Sequence, residues 1–147
     1  MILRPDHINI VVSDLNEAKS FFLQLGFIEI DSAKLTGEWI SSIVGLDNVH
    51  AEYIGLEFPG SETRLELIHY TMPASSIDPG ISQANQTGFR HLAFAVDDID
   101  SEITRLKKLG VRFLSDVHIF EKSGKKLVYF YGPDGILLEF AEYRKTE

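Results

Sequence analysis

The 147-residue chain has no cysteine, which excludes a disulfide framework and thiolate chemistry. Any metal site must then be built from nitrogen and oxygen donors. Basic residues are scarce as well. Fourteen Lys and Arg stand against 22 Asp and Glu, a formal charge of −8, and no block of Lys or Arg is longer than a pair. The basic footprint that binding to a phosphate backbone requires is missing, so nucleic acid is not an expected partner. No apolar run reaches membrane-spanning length, and MILRPDHINI enters a strand-like pattern without a leader segment or a small-residue cleavage site. A membrane partner is not expected either, and the expected location is the cytoplasm. With 44% hydrophobic residues, the chain suffices for one well-buried domain, or for two small halves sharing a core.

An internal repeat favours two halves. RHLAFAVDDI at 90–99 reads as a second copy of DHINIVVSDL at 6–15, displaced by 84 positions. Aligned without a gap, residues 7–26 and 91–110 share His7/His91, Val12/Val96, Asp14/Asp98, Leu25/Leu109 and Gly26/Gly110. Both copies follow the same plan: an apolar run opening with His, an acidic cap, an amphipathic stretch, then Leu-Gly. Ile8, Ile10 and Val12 alternate against His7, Asn9 and Val11, and Leu92, Phe94 and Val96 against His91, Ala93 and Ala95, so each histidine points away from the apolar face. Asp14 with Glu17 reads as a capping-box-like start. Leu15, Ala18, Phe22 and Leu25 form a helical stripe ending at Gly26. Asp98, Ile99, Ile103, Leu106, Leu109 and Gly110 repeat the plan.

After each Leu-Gly come three strand candidates: FIEI, HAEYIGLEF and TRLELIHY, then VRFL, KLVYFYG and GILLEFAEY. Each half thus has the order strand, helix, strand, strand, strand. The expected fold is α+β, with two paired βαβββ modules forming a curved mixed sheet around a metal-binding cavity. Residues 1–70 are the first module, 71–89 a Pro/Gly/Ser-rich linker and 90–147 the second, together a single domain 1–147. Forty positions separate Gly26 from Glu66, against 29 between Gly110 and Glu139. Much of the excess falls in AKLTGEWISSIVGLDNV, where Trp39, Ile40, Ile43 and Val44 suggest a short amphipathic helix that either covers a pocket or packs on the core. Gly132-Pro133-Asp134-Gly135 signals a turn and Ser123-Gly124-Lys125 a hairpin.

The last strands of the two halves match closely: Leu65-Glu66-Leu67 with Tyr70, and Leu138-Glu139-Phe140 with Tyr143. A glutamate inside an apolar strand is costly to bury and needs a metal, a base or a proton as partner. With the two strand-opening histidines, the glutamates form a pseudo-symmetric set: His7, Glu66, His91 and Glu139. If the halves join edge to edge, this set suits one divalent ion, Ni, Co, Zn, Mn or Fe, with positions left open for substrate.

The order His, Glu, His, Glu, carried by DLNEAKSFFLQLGF, RLELIHY, RHLAFAVDDID and GPDGILLEFAEY, resembles the vicinal oxygen chelate superfamily over essentially the whole chain. That group includes glyoxalase I, methylmalonyl-CoA epimerase, extradiol dioxygenases and the bleomycin and fosfomycin resistance proteins. The resemblance to bacterial glyoxalase I, in size and in Glu66, implies a metal-dependent lyase or isomerase. The metal would stabilise an enediolate while Glu66 or Glu139 moves a proton between adjacent carbons, with glutathione or another thiol as a possible cofactor for which no motif is readable. The alternative is a methylmalonyl-CoA epimerase-like isomerase, which SGKKLVYFYGPDG resembles, although that family commonly has a paired His where this chain has Arg90-His91. Extradiol dioxygenases, usually longer, rank third. A non-catalytic, bleomycin resistance-like binder of a small molecule is the alternative from another class. The resemblance also implies a homodimer, with ligands drawn from one chain or two.

Weaker candidates surround the set. His69 points by alternation to the face opposite Glu66 and reads as a packing residue, while His50 and His118 lie in loop or edge contexts. Arg90 reads as a structural ion pair. Lys125 and Lys126 read as a solvated hairpin rather than a clamp for an anionic substrate, and Phe58, Phe130 and Tyr129 as core aromatics rather than cavity lining.

Overall fold

The computed structural model describes residues 1–144. By contacts it divides into two compact units, Met1–Ile77 and a second beginning at Asp78. The first contains β1 (His7–Val11), α1 (Leu15–Gln24), β2 (Ile28–Thr36), α2 (Glu38–Val44), β3 (His50–Glu57) and β4 (Arg64–Met72). Its sheet has the order β1-β4-β3-β2. β1 runs parallel to β4, and the other pairings are antiparallel. The parallel pair needs a crossover, which α1, β2, α2 and β3 supply.

Local signals build these elements as read. The Asp14 carboxylate accepts from the Glu17 N–H at 2.8 Å, satisfying one orphan donor at the start of α1. Gly26, at φ +98°, ends that helix in a conformation that a side chain would strain. Ala18 and Phe22 are fully buried against the sheet, in a core with Val12, Phe27, Ile54, Leu56, Leu65 and Leu67. Phe22 stands edge-on to Phe21 at 5.4 Å and to Phe27 at 5.6 Å, so the rings interlock rather than merely fill volume.

The excess of the first half is divided between a longer β2 and α2. Gly37 gives α2 no side-chain cap. Instead Ser41 Oγ donates to the Gly37 carbonyl and accepts from the Val49 N–H, both at 3.0 Å. Ile40 is the helix's buried anchor, packed with Val49, Ala51 and Ile68. The packing reading of this helix holds for Ile40, while Trp39 and Ile43 stay exposed.

The second unit contains β5 (His91–Val96), α3 (Ile99–Lys108), β6 (His118–Phe120), β7 (Lys125–Tyr131), a 3-10 turn (Pro133–Gly135) and β8 (Leu137–Glu142), in sheet order β5-β8-β7-β6 with β5 parallel to β8. Asp98 caps α3 as Asp14 caps α1, accepting from the Ser101 N–H at 3.0 Å. Ile99 and Leu106 of α3 are fully buried, as are Val128, Phe130, Leu138 and Phe140 on the sheet. The two units thus share one topology, βαβββ, with α2 added to the first.

One strand candidate fails. VRFL, residues 111–114, makes only an isolated bridge from Phe113 to Phe130, flanked by hydrogen bonds to Tyr129 and Tyr131 of β7. Ser115-Asp116 interrupts the run, Ser115 Oγ donating to the Asp116 carbonyl at 2.8 Å. The fourth strand is instead β6, whose hairpin to β7 turns at Ser123-Gly124 as its residues indicate. No helix among the described residues is long and apolar enough to cross a membrane.

Candidate functional site

Each unit brings one predicted histidine against one predicted glutamate. In the first, His7 opens edge strand β1 and Glu66 lies on β4, in register with Asn9 on one side and Gly55 on the other. His7 Nε2 and Glu66 Oε2 are 3.4 Å apart. The opposite ring nitrogen, Nδ1, donates to Asp6 Oδ2 at 3.0 Å. That hydrogen bond is the main reason the Asp6 carboxyl is held below its ordinary value of 3.8, so at neutral pH Asp6 is a carboxylate that fixes the ring. Glu66 is not buried as its sequence context implied: about a third of its side chain is exposed. On the same face, Tyr53 donates to Asp31 at 2.8 Å. That bond, with burial and the nearby negative charges of Asp31 and Glu66, pushes the Tyr53 hydroxyl above its ordinary value.

In the second unit the pair is tighter and deeper. His91 opens β5, Glu139 lies on β8, and Nε2 and Oε2 are 3.1 Å apart. Glu139 is 4% exposed, the single buried charged residue among those described. Lys125 of β7 reaches its other oxygen, Nζ to Oε1 at 2.9 Å. Tyr129, in register with Glu139, packs its ring on the His91 imidazole at 4.9 Å and sets its hydroxyl 3.4 Å from Nδ1. Burial, then the negative charge of Glu139, raises the Tyr129 hydroxyl, which stays protonated at neutral pH.

The residues fit a divalent cation by the chemistry of the facing atoms. With the His7 Nδ1–H donated in a hydrogen bond to the Asp6 carboxylate, Nε2 faces Glu66 with either a second N–H or a bare lone pair. A lone pair opposite a carboxylate needs a cation between them. Carboxylate–histidine pairing behind a ligating nitrogen is the usual way a ring is oriented towards a metal. Among the described residues, no cluster of three or more His, Asp or Glu is gathered, and each unit presents one histidine–glutamate pair.

The profile described as the Glyoxalase/Bleomycin resistance protein/Dioxygenase superfamily matches residues 4–140. The chain belongs to that superfamily. A solved structure, a glyoxalase-family protein from Bacillus cereus, superposes with a TM-score of 0.89 at 33% identity, covering 97% of this chain and 95% of that one. Methylmalonyl-CoA epimerase from Mus musculus mitochondria is 29% identical over 146 residues, 95% of this chain and 72% of its own. The 2-epi-5-epi-valiolone epimerase of an Actinomyces species is 29% identical over 142 residues, 90% of this chain and 75% of its own.

The remaining sequence candidates of this superfamily member fall into place singly. His69 Nδ1 donates to the Val12 carbonyl at 3.0 Å, a packing role on the face away from Glu66. His50 and His118 are exposed strand ends. Arg90 Nη1 donates to the Gly80 carbonyl at 3.3 Å, so a carbonyl takes the place of the expected acidic partner. The solvated-hairpin reading of the lysines is overturned. Lys125 is tied to Glu139, and Lys126 to Glu142 at 3.0 Å and Asp100 at 3.8 Å. Phe130 is core at 0% exposure, Phe58 lies half-exposed against Phe27, and Tyr129 is a neighbour of the site. Asp6 went unnoticed, although an acid directly before a candidate ligand histidine was readable.

Proposed function

We propose that this protein is a metal-dependent isomerase that removes and returns a proton at a carbon next to a carbonyl, with His7, Glu66, His91 and Glu139 as the ligands of one divalent ion. The observation that carries this reading is the recurrence, at equivalent places in two modules, of an imidazole Nε2 facing a carboxylate Oε2 with the rear nitrogen of the ring engaged. When bound, the ion supplies Lewis-acid stabilisation of the negative charge that develops on the substrate oxygen. The two glutamates have unequal roles. Glu139 is buried and held at both oxygens, which suits a fixed ligand. Glu66, partly exposed and ion-paired with His7 alone among the described residues, is the one placed to accept the proton and to return it.

A hemithioacetal isomerase of glyoxalase I type, with a thiol cofactor, performs the same proton transfer. The epimerases among the relatives support a substrate in which one stereocentre beside a carbonyl is inverted, such as an acyl-CoA thioester. A binder without catalysis has no use for Glu139, whose burial carries a desolvation cost. A homodimer, with ligands drawn from one chain or two, belongs to the same proposal.

The test is deuterium wash-in. The metal-supplemented protein is incubated in D2O with methylmalonyl-CoA and, separately, with a hemithioacetal, and exchange at the carbon acid is followed by NMR. Exchange on the thioester that Glu66→Gln reduces by at least about a hundredfold, the lower range for a positioned acid–base group, supports the reading. Exchange on the hemithioacetal alone moves it to the glyoxalase I reaction. No exchange on either, together with no metal uptake that a His7→Ala, Glu139→Ala double variant abolishes, overturns it.

A further inference from the structure

Two equivalent carboxylates in the repeated modules are treated differently, and one lysine makes the difference. Glu139 sits on β8 between Leu138 and Phe140 with 5% of its side chain exposed. Lys125 Nζ lies 2.9 Å from Oε1 and His91 Nε2 lies 3.1 Å from Oε2. Lys125 is itself three-quarters buried and lies 5.7 Å from the centroid of the Tyr143 ring, so its ammonium is held in place rather than waving in solvent. Strand parity explains its reach: Tyr129 is the register partner of Glu139, and Lys125 lies four residues before it on the same face of β7. Glu66 faces His7 across 3.4 Å with about a third of its side chain in solvent, and its ion pair is with that histidine.

A buried carboxylate without a counter-charge carries a heavy desolvation penalty, so a protein that must fold before it acquires metal needs another cation there. Lys125 is that cation, and its place is specific. It occupies Oε1 and leaves Oε2, the oxygen that faces His91, as the one available to a metal. We infer that Lys125 is a positioning residue that stabilises the metal-free protein and restricts Glu139 to metal binding through one oxygen, which makes the metal exchangeable rather than permanently held. This inference rests on the metal reading proposed above.

Two consequences have opposite signs, and that makes the inference testable without an activity assay. Removing the ammonium leaves Glu139 buried and uncompensated in the metal-free protein, so the metal-free fold weakens. It also removes a positive charge from beside the incoming ion and frees Oε1 for it, so metal binding tightens, on the tenfold to hundredfold scale over which outer-shell partners act, about 10–100-fold. A lysine with a merely structural role would lower stability and leave affinity unchanged or weaker.

The experiment compares the wild-type full chain with Lys125→Met, Lys125→Gln and Lys125→Arg at one fixed neutral pH. Metal-free melting temperature is measured first, then the Kd for Mn(II) by titration with the metal alone, then the visible absorption of the Co(II) form. The expected result is a lower metal-free melting temperature and a tighter Kd for the Met variant, with Co(II) bands changed in intensity as Glu139 gains a second bond. Arg is expected to return all three towards wild type. Gln keeps an N–H donor without charge and supplies the affinity measurement should the Met variant fail to fold. A wild-type protein that binds Mn(II) while both neutral variants bind it equally or more weakly overturns this inference alone. A wild-type protein that binds no metal overturns it together with the metal reading.

Discussion

Glu142, at the C-terminal end of β8, ties the second sheet to its helix, and its removal gives a prediction with a sign in pH. Its carboxylate accepts from the Ile99 N–H at 2.8 Å, at the start of α3, and pairs with Lys126 at 3.0 Å. The backbone bond, reinforced by the lysine, holds the Glu142 carboxyl below its ordinary value of 4.5. Ile99 is fully buried, so in Glu142→Ala the Ile99 N–H loses its partner in a place that water reaches poorly. A hydrogen bond to a charged group contributes about 1.5–3 kcal/mol. A negative charge at a helix N-terminus adds about 0.3–1 kcal/mol, while the lysine pair is screened by solvent and adds little. These contributions overlap, and about 2–3 kcal/mol is the expected loss for Ala. For Gln, which keeps an acceptor but not the charge, about 1 kcal/mol is expected. Because the folded carboxyl is the stronger acid, its contribution is fully present above 4.5 and lost as pH falls through the lower folded value. Urea unfolding of wild type and Glu142→Gln across that range should show a constant gap at neutral pH that closes in acid. A gap that persists unchanged below the folded value, or no gap at neutral pH, refutes the argument.

Two further outcomes follow from packing and backbone geometry. Phe22→Ala empties a site with 0% exposure beside Phe21 and Phe27 and should cost about 3–5 kcal/mol in chemical denaturation, as truncations of large buried aromatics do. Gly110→Ala meets no atom within 4 Å but must hold φ +84°, so about 1–2 kcal/mol of pure backbone strain is expected. Equal stability to wild type would show that the turn after α3 relaxes.

The repeat made most of this fold legible. Period-two alternation after each histidine, an aspartate cap and a Leu-Gly stop recur 84 residues apart, and the strand and helix they foretell are β1–α1 and β5–α3. The His–Glu pairs were legible for the same reason: the same two positions recur in each module, and within each module the parallel pairing of first and last strand sets them side by side. What depended on pairing across strands was not legible. Lys125 meets Glu139 through the β7–β8 register, which local sequence does not encode, and on its own it reads as a surface lysine in a hairpin. β6 was overlooked because a three-residue edge strand carries too little alternation to register, and VRFL was overcalled because its apolar run contacts β7 through a bridge rather than a ladder. Glu66 and Glu139 looked alike in sequence, and only the neighbouring strands decide that one is buried and the other is not.

The α2 excursion bears on how freely this architecture changes length. The parallel pair of the first module joins His7 to Arg64 across 57 residues of chain, and that of the second joins His91 to Leu137 across 46. If loop closure scales with the logarithm of contour, the difference amounts to only about 0.2 kcal/mol. The additional turn of helix, anchored by Ile40 on the Ile68 side of the sheet, is therefore almost free of entropic penalty. Ile68 shares its strand face with Glu66, so the segment 37–49 borders the proposed reaction face while lying outside the strands that carry its ligands. A segment of another length there would lengthen the crossover at little entropic cost, while the β1–β4 register that sets His7 beside Glu66 lies in other strands.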